Sequence, residues 1–251
     1  MTLIIGHRGA RNLWAENSLT GFENLRDMPV EGVEFDLHLD AAGEIVVIHD
    51  ATLDRTTEGT GPIAALARGA HRTIHLKGSE RGDTIPTLDE VLEIYAGTDF
   101  ELQVELKADA NGTPYPGLEA KAAAAIDRFG LAQRSFLTSF SVSVLARARE
   151  AAPHIRTLCS YHGPDAEREG VLAGLQARLA VADVIAVEKK LFADYWDLIT
   201  ANAPLDRLGA WVPNQRADLD RWLDCGLRQV TTDNPDIALA AREALNHAPA
   251  S

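Results

Sequence analysis

Apolar residues fall along this chain in short dense runs, separated by stretches with helical spacing. The runs at 3–7, 32–39, 45–50, 100–107, 135–140, 155–161, 183–189, 207–212 and 229–233 read as strands. Helices are predicted between most of them, from local start and stop signals. Residues 18–28 follow Asn17, a good N-cap, and Thr87 to Glu90 has capping-box spacing ahead of Val91, Leu92 and Ile94. The stretch 118–129 stops at Gly130, 141–151 at Pro153 and 215–225 at Gly226, and Pro235 opens a last helix. This alternation predicts a parallel sheet with helices outside. No GxGxxG fingerprint follows the first run, which disfavours a dinucleotide-binding fold. Length and element count favour a (β/α)8 TIM barrel, one domain over residues 1–251.

Nine strands is one too many for that barrel. The run at 45–50 follows the second strand after only Asp40, Ala41, Ala42, Gly43 and Glu44, too few for a parallel crossover. It is predicted to return antiparallel as a hairpin above the barrel mouth. A turn over residues 41–44 sets Asp40 opposite Ile45, His38 opposite Val47 and Asp36 opposite His49. Residues 51–86 are rich in Gly, Thr and Arg without a sustained period, and are expected to form a small insertion capping the mouth.

Composition narrows the function. The chain is 46% hydrophobic, enough for a sizeable core, and its formal charge is −13. That charge argues against nucleic acid and anionic membrane surfaces as partners, and an anionic substrate would need a local positive site. No run approaches the ~20 apolar residues of a membrane span, and no signal-peptide pattern precedes Ile4. A cytoplasmic protein without membrane insertion is expected. Cys159 and Cys225 share no CxxC spacing and are expected to be reduced and unpaired.

Chemistry in such barrels sits at the C-terminal ends of the strands. The first run ends in His7 and Arg8, held between Gly6 and Gly9, which are expected to let an anion approach the backbone closely. The second brings Glu34 and Asp36, two apart and so on one face. The returning hairpin brings His49 and Asp50, the next strand Glu105 and Lys107, and the last strands Trp211, Asn214 and Asp233. Val33, Phe35 and Leu37 alternate with the acids, so the carboxylates point where barrel interior should be. Buried carboxylates repel one another and lose hydration, so positive charge must sit among them. Glu34, Asp36 and Glu105, with no soft ligand nearby, suit a hard divalent cation such as Mg2+ or Ca2+. The alternative is a salt-bridged network with Arg8 and Lys107. His7 and His49 are then free for proton transfer, and the hairpin register casts His49 as general acid. His38 reads as a solvated rim residue or a contributor to the site. His162 and Glu188 reach the same face, and Trp211 is expected to wall the substrate. His71, His75, His154 and His247 read as ordinary surface or core histidines.

Eight motifs in order resemble the glycerophosphodiester phosphodiesterase family, small bacterial type, along nearly the whole chain. They are His7-Arg8-Gly9 with Ala15-Glu16-Asn17-Ser18; Glu34-Phe35-Asp36; His49-Asp50 with Leu53-Asp54-Arg55-Thr56-Thr57 and Gly59-Thr60-Gly61; Ile85-Pro86-Thr87-Leu88; Glu105-Leu106-Lys107; Ser139-Phe140; Trp211-Val212-Pro213-Asn214; and Thr232-Asp233-Asn234-Pro235. The resemblance implies a (β/α)8 barrel with an insertion after the His-Asp motif, and metal-dependent hydrolysis of glycerophosphodiesters to glycerol 3-phosphate and an alcohol. It implies a metal at Glu34, Asp36 and Glu105, and acid/base catalysis by His7 and His49. Arg8 and Lys107 would hold phosphate oxygens, and Glu16 would orient the first histidine or a substrate hydroxyl. It also implies attack by the neighbouring glycerol hydroxyl, giving a cyclic phosphate that water opens. Ala15 and Ser18 replace the family's Pro and Thr, and Pro213 replaces an apolar residue beside Trp211. A lysophospholipase D-like or cyclic-phosphate-forming member is the nearest alternative, disfavoured by the lack of amphipathic membrane segments. A catalytically silent binding barrel is disfavoured by the intact set of site residues.

Overall fold

The computed structural model describes residues 1–247. Its strands are β1 (Leu3–His7), β2 (Gly32–Leu39), β3 (Ile45–Val47), β4 (Glu101–Leu106), β5 (Ser135–Ser139), β6 (Arg156–Tyr161), β7 (Val184–Glu188), β8 (Leu208–Trp211) and β9 (Gln229–Thr232). All but β3 run parallel in the order β1-β2-β4-β5-β6-β7-β8-β9, and β9 pairs back onto β1 to close a (β/α)8 barrel. The helices are α1 (Leu19–Arg26), α2 (Leu88–Tyr95), α3 (Leu118–Arg128), α4 (Val142–Ala151), α5 (Gly163–Glu169), α6 (Val171–Leu179), α7 (Lys189–Asp194), α8 (Trp196–Thr200), α9 (Arg216–Asp224) and α10 (Pro235–His247).

Alternation along the strands sorts side chains into two shells. Val33, Phe35 and Leu37 of β2 and Leu102, Val104 and Leu106 of β4 join the main apolar core with residues of the helices. Glu34, Asp36 and His38, and Glu101, Gln103 and Glu105, occupy the alternate positions and are buried as well. Opposite them, Phe136, Leu158, Val184 and Ala186 form a separate apolar cluster with Trp211 against it. The barrel interior is thus polar on the β1–β4 side and apolar on the β5–β8 side. Its polar half is closed below by an amide pair, Gln103 Nε2 donating to Gln229 Oε1 at 2.9 Å, and by the Arg228–Glu101 ion pair.

Three local expectations are corrected. The β2–β3 hairpin is slipped by one residue: Leu37 faces Val47, His38 faces Val46 and Leu39 faces Ile45. The cause is Asp40, whose Oδ1 accepts from the backbone N–H of Ala42 (2.9 Å) and Glu44 (2.8 Å), winding residue 40 into the turn. Asp36 therefore stands opposite Ile48, whose N–H its carbonyl accepts, and His49 lies one position beyond the expected pairing. Ser18, not Asn17, caps α1, its Oγ accepting from Gly21 N–H. Asn17 is in the left-handed region (φ 55°) and turns its amide elsewhere. Finally, Gly6 and Gly9 make room for α1, a packing role that the ligand reading omits. A Cβ on Gly6 would run into Leu25, and one on Gly9, at φ 72°, would meet the Phe22 ring at 3.0 Å.

Residues 51–86 contain two 3-10 turns, Ile63–Ala65 and Ala70–Thr73, and isolated bridges such as Thr52 to Pro62 and His75 to Thr84. Leu53, Ile63, Leu76 and Ile85 build a small core of their own with Val46 and Ile48 of the hairpin arm.

Candidate active site

Parallel register assembles the site. Pairing of β1 with β2 sets His7 beside Glu34, and pairing of β2 with β4 sets Asp36 beside Glu105. The loop after β1 then bends sharply: Arg8, Ala10 and Asn17 have φ of 52°, 67° and 55°, and they are the non-glycine residues with positive φ among those described. Such conformations cost of order 1 kcal/mol or more each, and persist where surrounding contacts over-determine them. Here they do. Asn17 Nδ2 donates to Asp36 Oδ2 at 2.9 Å, and Arg8 lies over the acids with its Nε 3.5 Å from Asp36 Oδ2.

A cavity of about 380 Å3 opens at this end of the barrel. On one side it is lined by His7, Arg8, Glu34, His49, Gln103 and Glu105, and on the other by Phe140, Leu158, His162, Ala186 and Trp211. The sequence-predicted His7, Arg8, Glu34, His49 and Glu105 therefore share one wall, and Trp211 faces them across the cavity. Asp36 and Lys107 lie directly behind it, Lys107 Nζ being 2.9 Å from Glu105 Oε1 and 3.3 Å from Asp36 Oδ1. Glu16 stands off the cavity, bridging Arg8 Nη1 (3.4 Å) and Arg55 Nη2 (2.8 Å). Trp211 is held edge-on to Phe140, with its indole N–H donated to the Ala186 carbonyl.

Both cavity histidines are anchored through Nδ1 to a carboxylate. His7 Nδ1–H donates to Asp233 Oδ1 at 2.5 Å, and Asp233 also accepts from Asn214 Nδ2 at 2.7 Å and is ion-paired with Arg11, whose Nε stands 2.8 Å away. Burial would raise the Asp233 carboxyl, but its bonds to His7, Arg11 and Asn214 hold it well below the usual carboxylate range. Burial lowers the His7 pKa, against the pull of Asp233. His49 Nδ1 pairs with Asp50 Oδ1 at 2.6 Å, and Arg55 clamps Asp50 from behind. In each ring Nε2 is the nitrogen left for a substrate. Asp233 and Asp50 were named from the sequence as strand-end residues without a task, and Arg55 only as part of a motif.

His38 is buried, not a solvated rim residue. Its Nε2 donates to the His49 carbonyl (3.1 Å), so Nδ1 must accept from the Tyr115 hydroxyl (3.0 Å). Burial takes its pKa down to about 4, and the neutral ring braces the backbone of His49. His162 lines the cavity against Phe140. Glu188 does not reach it; its carboxylate accepts the Gly163 N–H at the start of α5.

The three predicted metal carboxylates converge, with oxygens of Glu34, Asp36 and Glu105 within 4.8 Å of one another. Glu34 Oε1 and Asp36 Oδ1 are buried without a hydrogen-bond partner. Burial and the charges of Asp36 and Glu105 push the Glu34 carboxyl far above its ordinary range. For Asp36 burial pulls the same way, but Lys107, Arg8 and Asn17 prevail and hold it ionised. Orphaned, mutually repelling, oxygen-only donors fit a hard divalent cation.

The class this arrangement fits is the phosphoric diester hydrolases, with cationic side chains and two carboxylate-anchored imidazoles at one cavity. Comparison with known proteins narrows it. The sequence profile of the glycerophosphoryl diester phosphodiesterase family matches residues 7–237. A glycerophosphodiester phosphodiesterase of Bacillus altitudinis is 30% identical over 259 residues, covering 98% of this chain and 100% of the relative. A solved structure from Agrobacterium tumefaciens superposes with a TM-score of 0.89 at 28% identity, covering 99% of this chain and 100% of the other. A phosphodiesterase of Oleispira antarctica, solved with the product sn-glycerol-3-phosphate, superposes with a TM-score of 0.76 at 25% identity, covering 97% of both chains. The chain belongs to the glycerophosphoryl diester phosphodiesterase family. Among the described residues, no helix is long and apolar enough to cross a membrane.

Proposed function

We propose that this enzyme releases glycerol 3-phosphate from glycerophosphodiesters using a divalent cation, Mg2+ or Ca2+, held by Glu34, Asp36 and Glu105, with His7 and His49 dividing the proton transfers. The observation that carries the reading is that both imidazoles are tied at Nδ1 to a carboxylate and share a cavity with the convergent acids. When bound, the cation supplies charge that polarises a phosphoryl oxygen and makes a hydroxyl or water easier to deprotonate. Arg8 and Lys107 bring positive charge to the diester. Glu16 keeps Arg8 in place and ties it to Arg55. One imidazole takes a proton from the attacking hydroxyl at Nε2 while the other gives one to the leaving alcohol. Asp233 and Asp50 hold the rings in the required tautomer. Trp211, Phe140 and Leu158 give the carbon skeleton an apolar wall. Residues 51–86 act as a cap whose Arg55 secures Asp50 and so His49. A cytoplasmic location belongs to the same proposal, supported by two unpaired thiols.

The test is glycerol 3-phosphate release from glycerophosphocholine by chelator-treated protein, with and without Mg2+ or Ca2+. Activity should need the added ion, and His7→Ala, His49→Ala and Glu34→Gln should each lose about 10²-fold or more. A nitrophenyl leaving group should rescue the variant that lacks the general acid and not the other. Undiminished turnover by both histidine variants would overturn the proposal.

A further inference from the structure

The tip of the β2–β3 hairpin carries a second convergent donor set, away from the barrel mouth. Oxygens of Asp40 and Glu44 and a ring nitrogen of His71 lie within 4.8 Å of one another. His71 sits in the Ala70–Thr73 turn, is 0% exposed, and neither of its ring nitrogens has a hydrogen-bond partner. A neutral imidazole has one N–H to give and one lone pair to fill, so a fully buried ring with both unmet needs a partner. Asp40 is also buried. Its Oδ1 serves the Ala42 and Glu44 N–H groups, while its Oδ2 has no partner. Glu44 Oε2 stands 3.7 Å from His71 Nδ1, already the separation of two ligands each about 2 Å from a shared ion. The Glu44 side chain is 36% exposed, which leaves an entry path from solvent.

We infer that Asp40, Glu44 and His71 bind a second cation, of the Zn2+ class, that staples the hairpin tip to the 51–86 segment. The donor chemistry separates it from the barrel-mouth site. One imidazole with two carboxylates suits a borderline ion such as Zn2+, whereas oxygen-only ligands suit Mg2+ or Ca2+. The position suits a staple. Asp40 and Glu44 flank the hairpin turn, and His71 comes from the segment whose Arg55 holds Asp50 beside His49. A single backbone bond, Ala41 N–H to the Leu66 carbonyl, joins the turn to that segment at the same place.

The test is zinc content of the full chain, measured after chelator treatment, incubation with Zn2+ in excess Mg2+, and gel filtration. Glu44→Gln and Asp40→Asn each remove one ligand while keeping shape, and neither touches the barrel mouth. Wild type should retain one more equivalent of zinc per chain than either variant. Zinc should also raise the wild-type Tm by about 5 °C, and that of the variants by much less. Turnover of glycerophosphocholine with Mg2+ should match in wild type and Glu44→Gln. Equal zinc content in wild type and both variants would overturn the site. A lost equivalent without a thermal shift would overturn its role as a staple.

Discussion

Asp233 reaches His7 across 226 positions of sequence, and the contact decides which nitrogen of the ring carries the proton. Asp233→Asn keeps the shape but can donate where the carboxylate only accepts, which favours the wrong tautomer. The expected result is a fall in kcat of about 10²-fold or more with an unchanged circular dichroism spectrum. Cys159 gives a second residue-scale prediction. Burial pushes its thiol up to about 12, so at pH 8 only about 10⁻⁴ of it is thiolate. A thiol reagent should label it at least ~10³-fold more slowly in native protein than in guanidinium, where the ordinary pKa returns. His7, Glu34, Asp36 and Glu105 could be read from the sequence because charged residues at barrel-interior positions break a local pattern. The tasks of Asp233 and Asp50 could not, since strand-end acids are common and only closure of the barrel shows what each one touches. The hairpin register was missed because it hangs on one side chain, Asp40, bonding two backbone N–H groups inside its own turn.

Among the elements, the start of α2 was legible to the residue. Its capping box forms as the spacing predicts, Thr87 Oγ1 accepting from Glu90 N–H and Glu90 Oε2 from Thr87 N–H. Thr87→Ala should cost about 1 kcal/mol, a Tm loss of roughly 2–4 °C by calorimetry. The short helices α5 to α8 left no comparable signal, because none of them opens on a side-chain cap. The contact between β1 and α1 is tighter than periodicity could reveal. Gly6→Ala would push a methyl into Leu25, and should destabilise by about 1–3 kcal/mol in urea unfolding. Since His7 and Arg8 follow directly, the same change should lower kcat even under conditions where the protein stays folded.

Over the whole molecule, net charge and local charge oppose each other. A formal −13 repels an anionic diester, while Arg8 and Lys107 concentrate positive charge at the cavity. Raising ionic strength from 10 to about 150 mM screens the long-range part first. kcat/KM for an anionic glycerophosphodiester should therefore rise with salt, while that for zwitterionic glycerophosphocholine should change little. The fold class was legible because strand and helix alternate through the whole chain, whereas the division of the barrel interior into polar and apolar halves depends on which strands become neighbours on closure. That closure has a further consequence for biosynthesis. Of the described strands β1 leaves the ribosome before the others and β9 after them, yet β1 is flanked by β9 and its histidine is tethered by the residue that follows β9. A nascent chain halted before translation reaches that segment has already made every proposed cation ligand but not the tether of His7.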